Sequence, residues 1–165
     1  MMRMTKVVSF VGYSNSGKTT LLEKVINELK GRGYRVGVIK HTSKACEIDI
    51  PGKDTWRYAQ AGSNIVVLSS QTQMAVLEKI DREPVLAEIT DLLEGKVDII
   101  LTEGYKGLNT AKVLVRGEDD QRAPDFKGEL LATVSPSVMP NGVRRFAQED
   151  VTRIVDLLIE QLVTA

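Results

Sequence analysis

The sequence predicts an α/β protein: a doubly wound, mostly parallel sheet with helices on both faces and an antiparallel extension. Three observations point there. Short apolar runs rich in β-branched residues alternate with stretches of helical periodicity. Two of those runs, residues 7–11 and 97–101, are apolar nearly throughout, as strands covered on both faces must be. The first run also leads through a glycine loop directly into a helix, the order of a phosphate-binding unit. At 165 residues the chain suits one compact domain with a sizeable core, and 1–165 is read as a single unit.

Taken in order, Val7, Val8, Ser9, Phe10 and Val11 form the first strand. Residues 18–30 follow as a helix, with Leu21, Leu22, Val25, Ile26 and Leu29 on one face and Gly31 and Gly33 ending it. Residues 35–39 are the second strand. After the turn residues Pro51 and Gly52, residues 55–60 read as a short helix. Residues 64–68 make a third strand, and 74–77 pair antiparallel beside it across a tight turn at Ser70. Pro84 sits where a first helical residue would, ahead of Leu86, Ile89, Leu92 and Leu93, and Gly95 closes that helix. The strand at 97–101 is followed by strands at 113–115 and 130–134. Between those two, residues 117–128 read as an exposed loop, charged at Glu118, Asp119, Asp120 and Arg122. A last helix over 149–163 turns Val151, Ile154, Val155, Leu158 and Leu162 to the core.

Composition removes several function classes. Twenty-two basic residues balance twenty-two acidic ones, so no global charge draws the chain to nucleic acid or to a membrane surface. Cys46 is the only cysteine, which rules out an internal disulfide and fits a reducing cytosol. No apolar run reaches the length of a membrane span and no secretory segment precedes the first strand. A cytoplasmic, non-membrane protein is expected.

The chemistry begins at residues 12–19. Gly12, Tyr13, Ser14, Asn15, Ser16, Gly17, Lys18 and Thr19 fit the pattern G-x-x-x-x-G-K-[ST]. Chance produces it in roughly one chain of this length in a hundred or two, and the strand before and helix after it make chance a poorer account still. In such a P-loop the backbone N–H groups from Gly12 to Thr20 wrap a polyphosphate, Lys18 reaches the terminal phosphates, and the Thr19 hydroxyl holds a magnesium ion. Ligands of a parallel sheet bind outside the carboxyl ends of its strands. The residues leaving the strands there are the P-loop, then Lys40 and His41, then Ser69 and Ser70, then Thr102, Glu103 and Gly104.

Glu103 ends an apolar strand, where an acid can act on the magnesium ion opposite Thr19; a polar residue at a strand end is its plainer explanation. Asp49 and Asp54 are further metal candidates in the loop after the second strand, and Asp54 equally suits an N-cap for the helix at Thr55. His41, the only histidine, can meet a phosphate or simply be satisfied by backbone at the sheet edge. Trp56 reads as packing or interface in preference to base stacking. Lys44, Lys53 and Arg57 make a locally basic stretch, open to a second anion or merely solvated.

Four blocks carry a resemblance. They are the P-loop from Phe10 to Leu21, Val38-Ile39-Lys40-His41, the run Asp49, Pro51, Gly52, Lys53, Asp54 with Trp56, Arg57 and Tyr58, and Glu103-Gly104-Tyr105-Lys106. In this order they resemble the molybdopterin-guanine dinucleotide biosynthesis protein B family, over about the first two-thirds of the chain. The resemblance implies a dimeric GTP-binding protein that hydrolyses GTP weakly. It implies as partner the guanylyltransferase that attaches GMP to molybdopterin, with molybdopterin itself as a further contact. It also implies that residues 12–19 bind the triphosphate, and that Thr19 and Glu103, with Asp49 or Asp54, surround Mg²⁺. The [NT]-K-x-D guanine signature is absent from the chain, so guanine preference rests on the resemblance. Thr42, Ser43, Lys44 and Ala45 stand where family members often carry further histidines.

Phosphoryl transfer to water needs the cradle and the metal, a residue that orients the water, and often an arginine finger worth roughly 10³–10⁵ in rate. Lys18 and Glu103 supply the first parts, and Arg57 from a second subunit is a candidate finger. A GTP-binding adaptor is therefore expected. Its competitors are a P-loop kinase or ATP-dependent ligase similar to dethiobiotin synthetase, and an interaction module that holds nucleotide only for stability.

Overall fold

The structure is a computed structural model and describes residues 5–118, 120, 124–136 and 144–163. By its internal contacts it divides into two compact units, Thr42–Leu86 and the remainder of the described chain.

The larger unit is built on a six-stranded sheet in the order β2-β5-β1-β6-β7-β8. The strands are β1 (Lys6–Val11), β2 (Val36–Lys40), β5 (Ile99–Glu103), β6 (Ala111–Val115), β7 (Leu130–Val134) and β8 (Arg144–Phe146). Every pairing among them is parallel. β1 lies in the interior because its side chains are buried on both faces, apolar except for Ser9 past its first residue, and the chain leaves it in opposite directions, to β2 on one side and beside β6 on the other. That divergence opens a crevice at the carboxyl end of β1, where the glycine loop sits.

The helices are α1 (Lys18–Gly31), α3 (Leu86–Asp91) and α4 (Val151–Val163). Leu21, Leu22, Val25 and Leu29 of α1 join Ile154, Val155, Leu158 and Leu162 of α4 over Val8, Phe10, Leu101, Val113 and Val134. Both long helices therefore share one face of the sheet. On the other face, Leu93 in the turn after α3 packs on β2: a Cβ on Gly37 would stand 3.1 Å from Leu93 Cδ1. Arg32, just past α1, ties the two long helices by donating to Glu28 at 2.9 Å and to Asp156 at 2.6 Å.

The smaller unit holds α2 (Asp54–Gln60) packed on a two-stranded antiparallel sheet of β3 (Ile65–Ser69) and β4 (Met74–Glu78). Ser70 closes the hairpin, its hydroxyl donating to the Gln73 carbonyl at 3.1 Å and accepting from the Gln73 N–H at 3.0 Å.

The expected doubly wound sheet and its antiparallel extension are present, with corrections. The third strand is not a member of the main sheet, so Ser69 and Ser70 do not stand at its carboxyl edge; β3 spends its ladder on β4 instead. The helix expected to start at Pro84 starts at Leu86, and none of its residues is fully buried; Leu92 is 66% exposed. β5 runs two residues later than the apolar run that announced it, because Asp98 is turned out by Arg35, whose backbone and side chain both bond it. β8, with two arginines in three residues, has no sequence signal and exists because β7 offers it an open edge. Asp119, Gln121 and Arg122 lie outside the described residues, while Asp120 is half-buried rather than exposed.

Candidate functional site

The loop between β1 and α1 depends on two glycines for close approach. A Cβ on Gly12 would stand 2.1 Å from the Val115 carbonyl oxygen and 2.8 Å from Ser16 Oγ, so only glycine lets the loop pass the end of β6. Gly17 caps α1 at φ 89°, and a Cβ there would meet Gln148 Nε2 at 2.4 Å. Asn15 is also left-handed, at φ 63°, a conformation its short polar side chain tolerates. Gln148, in the turn between β8 and α4, donates from Nε2 to the Ser16 carbonyl at 3.3 Å and braces the loop from behind. Ser16 is buried in this brace.

An open cleft of about 650 Å³ lies over the loop. Gly12, Ser14, Asn15, Gly17, Lys18, Thr19 and Thr20 line it from one side, Lys40 and His41 from the end of β2, and Glu103 and Gly104 from the end of β5. The strand order explains the gathering. β5 pairs with both β1 and β2, which sets Phe10, Lys40 and Glu103 at one level across three strands. Glu103 points to the same sheet face as Leu101, the face that carries α1, so it meets the first turn of that helix.

There the Thr19 hydroxyl is 3.4 Å from each oxygen of the Glu103 carboxylate, and Lys40 Nζ is 3.7 Å from Oε2. The Glu103 side chain is only 18% exposed, whereas that of Lys40 is 66% exposed, so the ion pair leaves the carboxylate mainly to Thr19. A hydroxyl and a carboxylate are hard oxygen donors, the kind Mg²⁺ takes while keeping several waters, and the pair fits that ion. Among the described residues no group of three or more His, Cys, Asp or Glu side chains gathers as a metal cage. Lys18 folds over the loop, its Nζ donating to the Tyr13 carbonyl and lying 3.4 Å from Ser16 Oγ. Burial lowers its pKa from the ordinary lysine value, opposed by the nearby carboxylates of Glu103 and Asp120.

The wall opposite the loop is His41 and the residues after Glu103. His41 N–H donates to the Glu103 carbonyl at 3.0 Å, and the His41 and Tyr105 rings stand 4.6 Å apart at 33°. Asp49, Lys53, Asp54 and Arg57 belong to the smaller unit. There Asp49 Oδ1 accepts from the Ile50 N–H at 2.8 Å while Oδ2 is buried with no hydrogen-bond partner among the described residues. Asp54 is the first residue of α2 rather than its cap, which is Lys53, and stands 4.0 Å from Arg57.

Sequence reasoning missed Gln148 and Asp120. Gln148 is 132 residues from the carbonyl it braces, and no local pattern marks it. Asp120 sat in a run of charge that looked solvated, yet its Oδ2 accepts from the Gly117 N–H at 2.7 Å beside the loop.

With this geometry in hand, comparison with known proteins is decisive. Residues 7–136 match the family described as molybdopterin guanine dinucleotide synthesis protein B. The chain belongs to that family. Among curated relatives, the molybdopterin-guanine dinucleotide biosynthesis adapter protein of Escherichia coli is 32% identical over 95% of this chain and 93% of its own. The adapter protein of the same description from Haemophilus influenzae is 36% identical over 78% of this chain and 74% of its own. Among solved structures, a molybdopterin-guanine biosynthesis protein B superposes with a TM-score of 0.74 at 28% identity, covering 94% of this chain and 98% of that one. Bacillus subtilis MobB gives 0.76 at 25% identity, covering 94% and 97%. The family's fold is thus this chain's fold, from β1 through α4.

Proposed function

We propose that this protein is a cytoplasmic, homodimeric GTP-binding adaptor that assists the guanylyltransferase forming molybdopterin guanine dinucleotide, and that it turns GTP over slowly. The observation that carries the proposal is the meeting of Thr19 and Glu103 at the mouth of the glycine loop, in a chain of this family. The names of its relatives, adapter proteins of molybdopterin-guanine dinucleotide biosynthesis, support the partner and the choice of GTP.

The chain's own groups divide the work. Backbone N–H groups of the loop bind the phosphates and the start of α1 adds its dipole. Lys18 leaves its carbonyl partner and neutralises the terminal phosphates. Thr19 and Glu103 would hold Mg²⁺, which when bound screens the phosphate charge. Lys40 orients Glu103 from the solvent side, and His41 forms the wall beside it. No arginine is among the described residues lining the cleft, and a finger alone accounts for about 10³–10⁵ in rate. Cradle and metal without it suit a protein that holds GTP for a partner.

Calorimetric titration with GTP, ATP and Mg²⁺ tests the proposal, with Lys18→Ala as control. Tight binding of GTP by the native protein and none by the variant is expected. Identical, absent binding by both would end it. Affinity for purified guanylyltransferase should then differ with and without GTP; an unchanged value would leave nucleotide binding without an adaptor role, since a ligand shifts an equilibrium only through differential binding. Turnover of a cosubstrate above about 1 s⁻¹ would point instead to a kinase.

A further inference from the structure

The connection from β5 to β6 is unusually short. These strands flank β1, so the chain must cross over it, and parallel crossovers ordinarily take a dozen or more residues. Here residues 104–110 make the crossing without a helix. Beneath them lies Lys112, 0% exposed. Its Nζ donates to the Leu108 carbonyl at 2.8 Å, to the Thr110 carbonyl at 3.0 Å, and to the Thr110 hydroxyl. All three ammonium protons are placed on the crossover. The Thr110 hydroxyl is in turn 2.6 Å from Ser9 Oγ, which accepts from Thr102 Oγ1 at 2.8 Å, and both serine and threonine are 0% exposed.

This polar chain spans β5, β1 and β6 on a face where Val11, Ile100 and Leu114 are apolar and buried. A buried ammonium is costlier there than a leucine unless it is fully bonded, so it is expected where a particular geometry must be held. A bulge opposite Lys112 and Val113, where β7 inserts Leu131, shifts the register beside the lysine.

What Lys112 holds begins directly after Glu103. Gly104 N–H donates to the Phe10 carbonyl at 3.2 Å. Tyr105 is left-handed at φ 54°, a strained conformation for a non-glycine residue that persists only where neighbours impose it. Its carbonyl accepts from the Leu108 N–H at 3.2 Å, and its ring lies on His41. Contacts therefore run without a gap from Lys112 through the 105–108 turn to Tyr105, His41 and Glu103.

We propose that Lys112 is a positioning residue of the nucleotide site: by holding the 104–110 crossover it sets Glu103 and the His41–Tyr105 wall, and with them the magnesium-dependent part of nucleotide binding. This rests on reading the cleft as a magnesium–nucleotide site.

GTP is titrated into the native protein, Lys112→Met and Thr110→Val, each with Mg²⁺ and each with EDTA, beside thermal melting. The gain in affinity that Mg²⁺ confers should fall about tenfold in Lys112→Met, the size of effect seen when outer-shell partners of metal ligands are removed. It should fall less in Thr110→Val, and affinity in EDTA should hold in both. Loss of both affinities in parallel with melting temperature, or a magnesium gain unchanged in both variants, overturns the role of Lys112. Should Lys112→Met fail to fold, Thr110→Val decides alone by the same criterion. If the native protein itself binds no GTP, the nucleotide reading has failed; if it binds with a magnesium gain that the variants share, only the role of Lys112 has.

Discussion

Glu103 is placed by three neighbours of different kinds: a hydroxyl that can share a cation, a lysine at the solvent side, and a backbone bond from His41. Glu103→Gln keeps the shape and removes the charge. It should weaken magnesium-dependent GTP binding by no less than about tenfold, since even outer-shell changes cost 10–100-fold. Asp81→Asn, at an exposed turn, should do nothing; equal effects in a titration would remove Glu103 from the site. Gly12→Ala is expected to fail twice. The added methyl group meets the Val115 carbonyl at 2.1 Å, so the denaturation midpoint should drop by an amount equivalent to about 1–3 kcal/mol and GTP binding should be lost. The placing of Gly12, Lys18 and Thr19 on one loop was legible because they lie in nearly consecutive backbone. Gln148 was not, because the carbonyl it bonds lies 132 positions away in the chain.

At the scale of elements, α1 and α4 make the core together and α3 contributes little to it. Leu158, 0% exposed, should cost about 2–5 kcal/mol when cut to alanine. Leu92→Ala should stay within about 0.5 kcal/mol of the native protein by chemical denaturation. A large loss at Leu92, in the turn just past α3, would mean that this segment belongs to the core after all, as its periodicity suggested. The periodicities of α1 and α4 were sound guides because both helices found apolar strands to cover. α3 and the turn after it carry Leu86, Ile89 and Leu93 at the same kind of spacing, yet each is only half-buried. β3 shows a second limit of pattern. Its run from Ile65 to Leu68 reads like any buried strand, and nothing within it says that its ladder goes to β4 rather than to the main sheet.

Across the whole molecule the buried lysine leaves a signature in stability. Burial pushes Lys112 down from lysine's ordinary 10.5 to about 8. The folded protein therefore releases this proton near pH 8, while an unfolded chain keeps it until near 10.5. Between those values the unfolded state binds more protons, so Lys112 makes stability rise with pH, by no more than about 3 kcal/mol. Lys18 is shifted in the same direction and adds to the rise. Denaturant unfolding at pH 8 and pH 10 should show a steeper increase for the native protein than for Lys112→Met. Equal slopes would mean that the lysine is not charged against a cost. In the other direction, Asp98 has its pKa held down by hydrogen bonds from the Arg35 side chain and backbone. Its contribution is present at neutral pH and is lost as pH falls through the depressed value.

By itself the sequence determined the glycine loop between strand and helix, the apolar strands and the two core helices, since each is written in residues close together in the chain. A strand's pattern states which of its faces are apolar; it does not state which strand lies beside it. Strand order was left to tertiary structure, and with it went the meetings that matter here. β5 beside β1 brings Glu103 within 3.4 Å of Thr19 across 84 positions of sequence. β6 on the far side of β1 forces the short crossover and buries Lys112 beneath it. Long-range pairing chooses among locally equivalent strands by the core they jointly close, and that choice turned a glycine loop into one wall of a cleft lined from the ends of β1, β2 and β5.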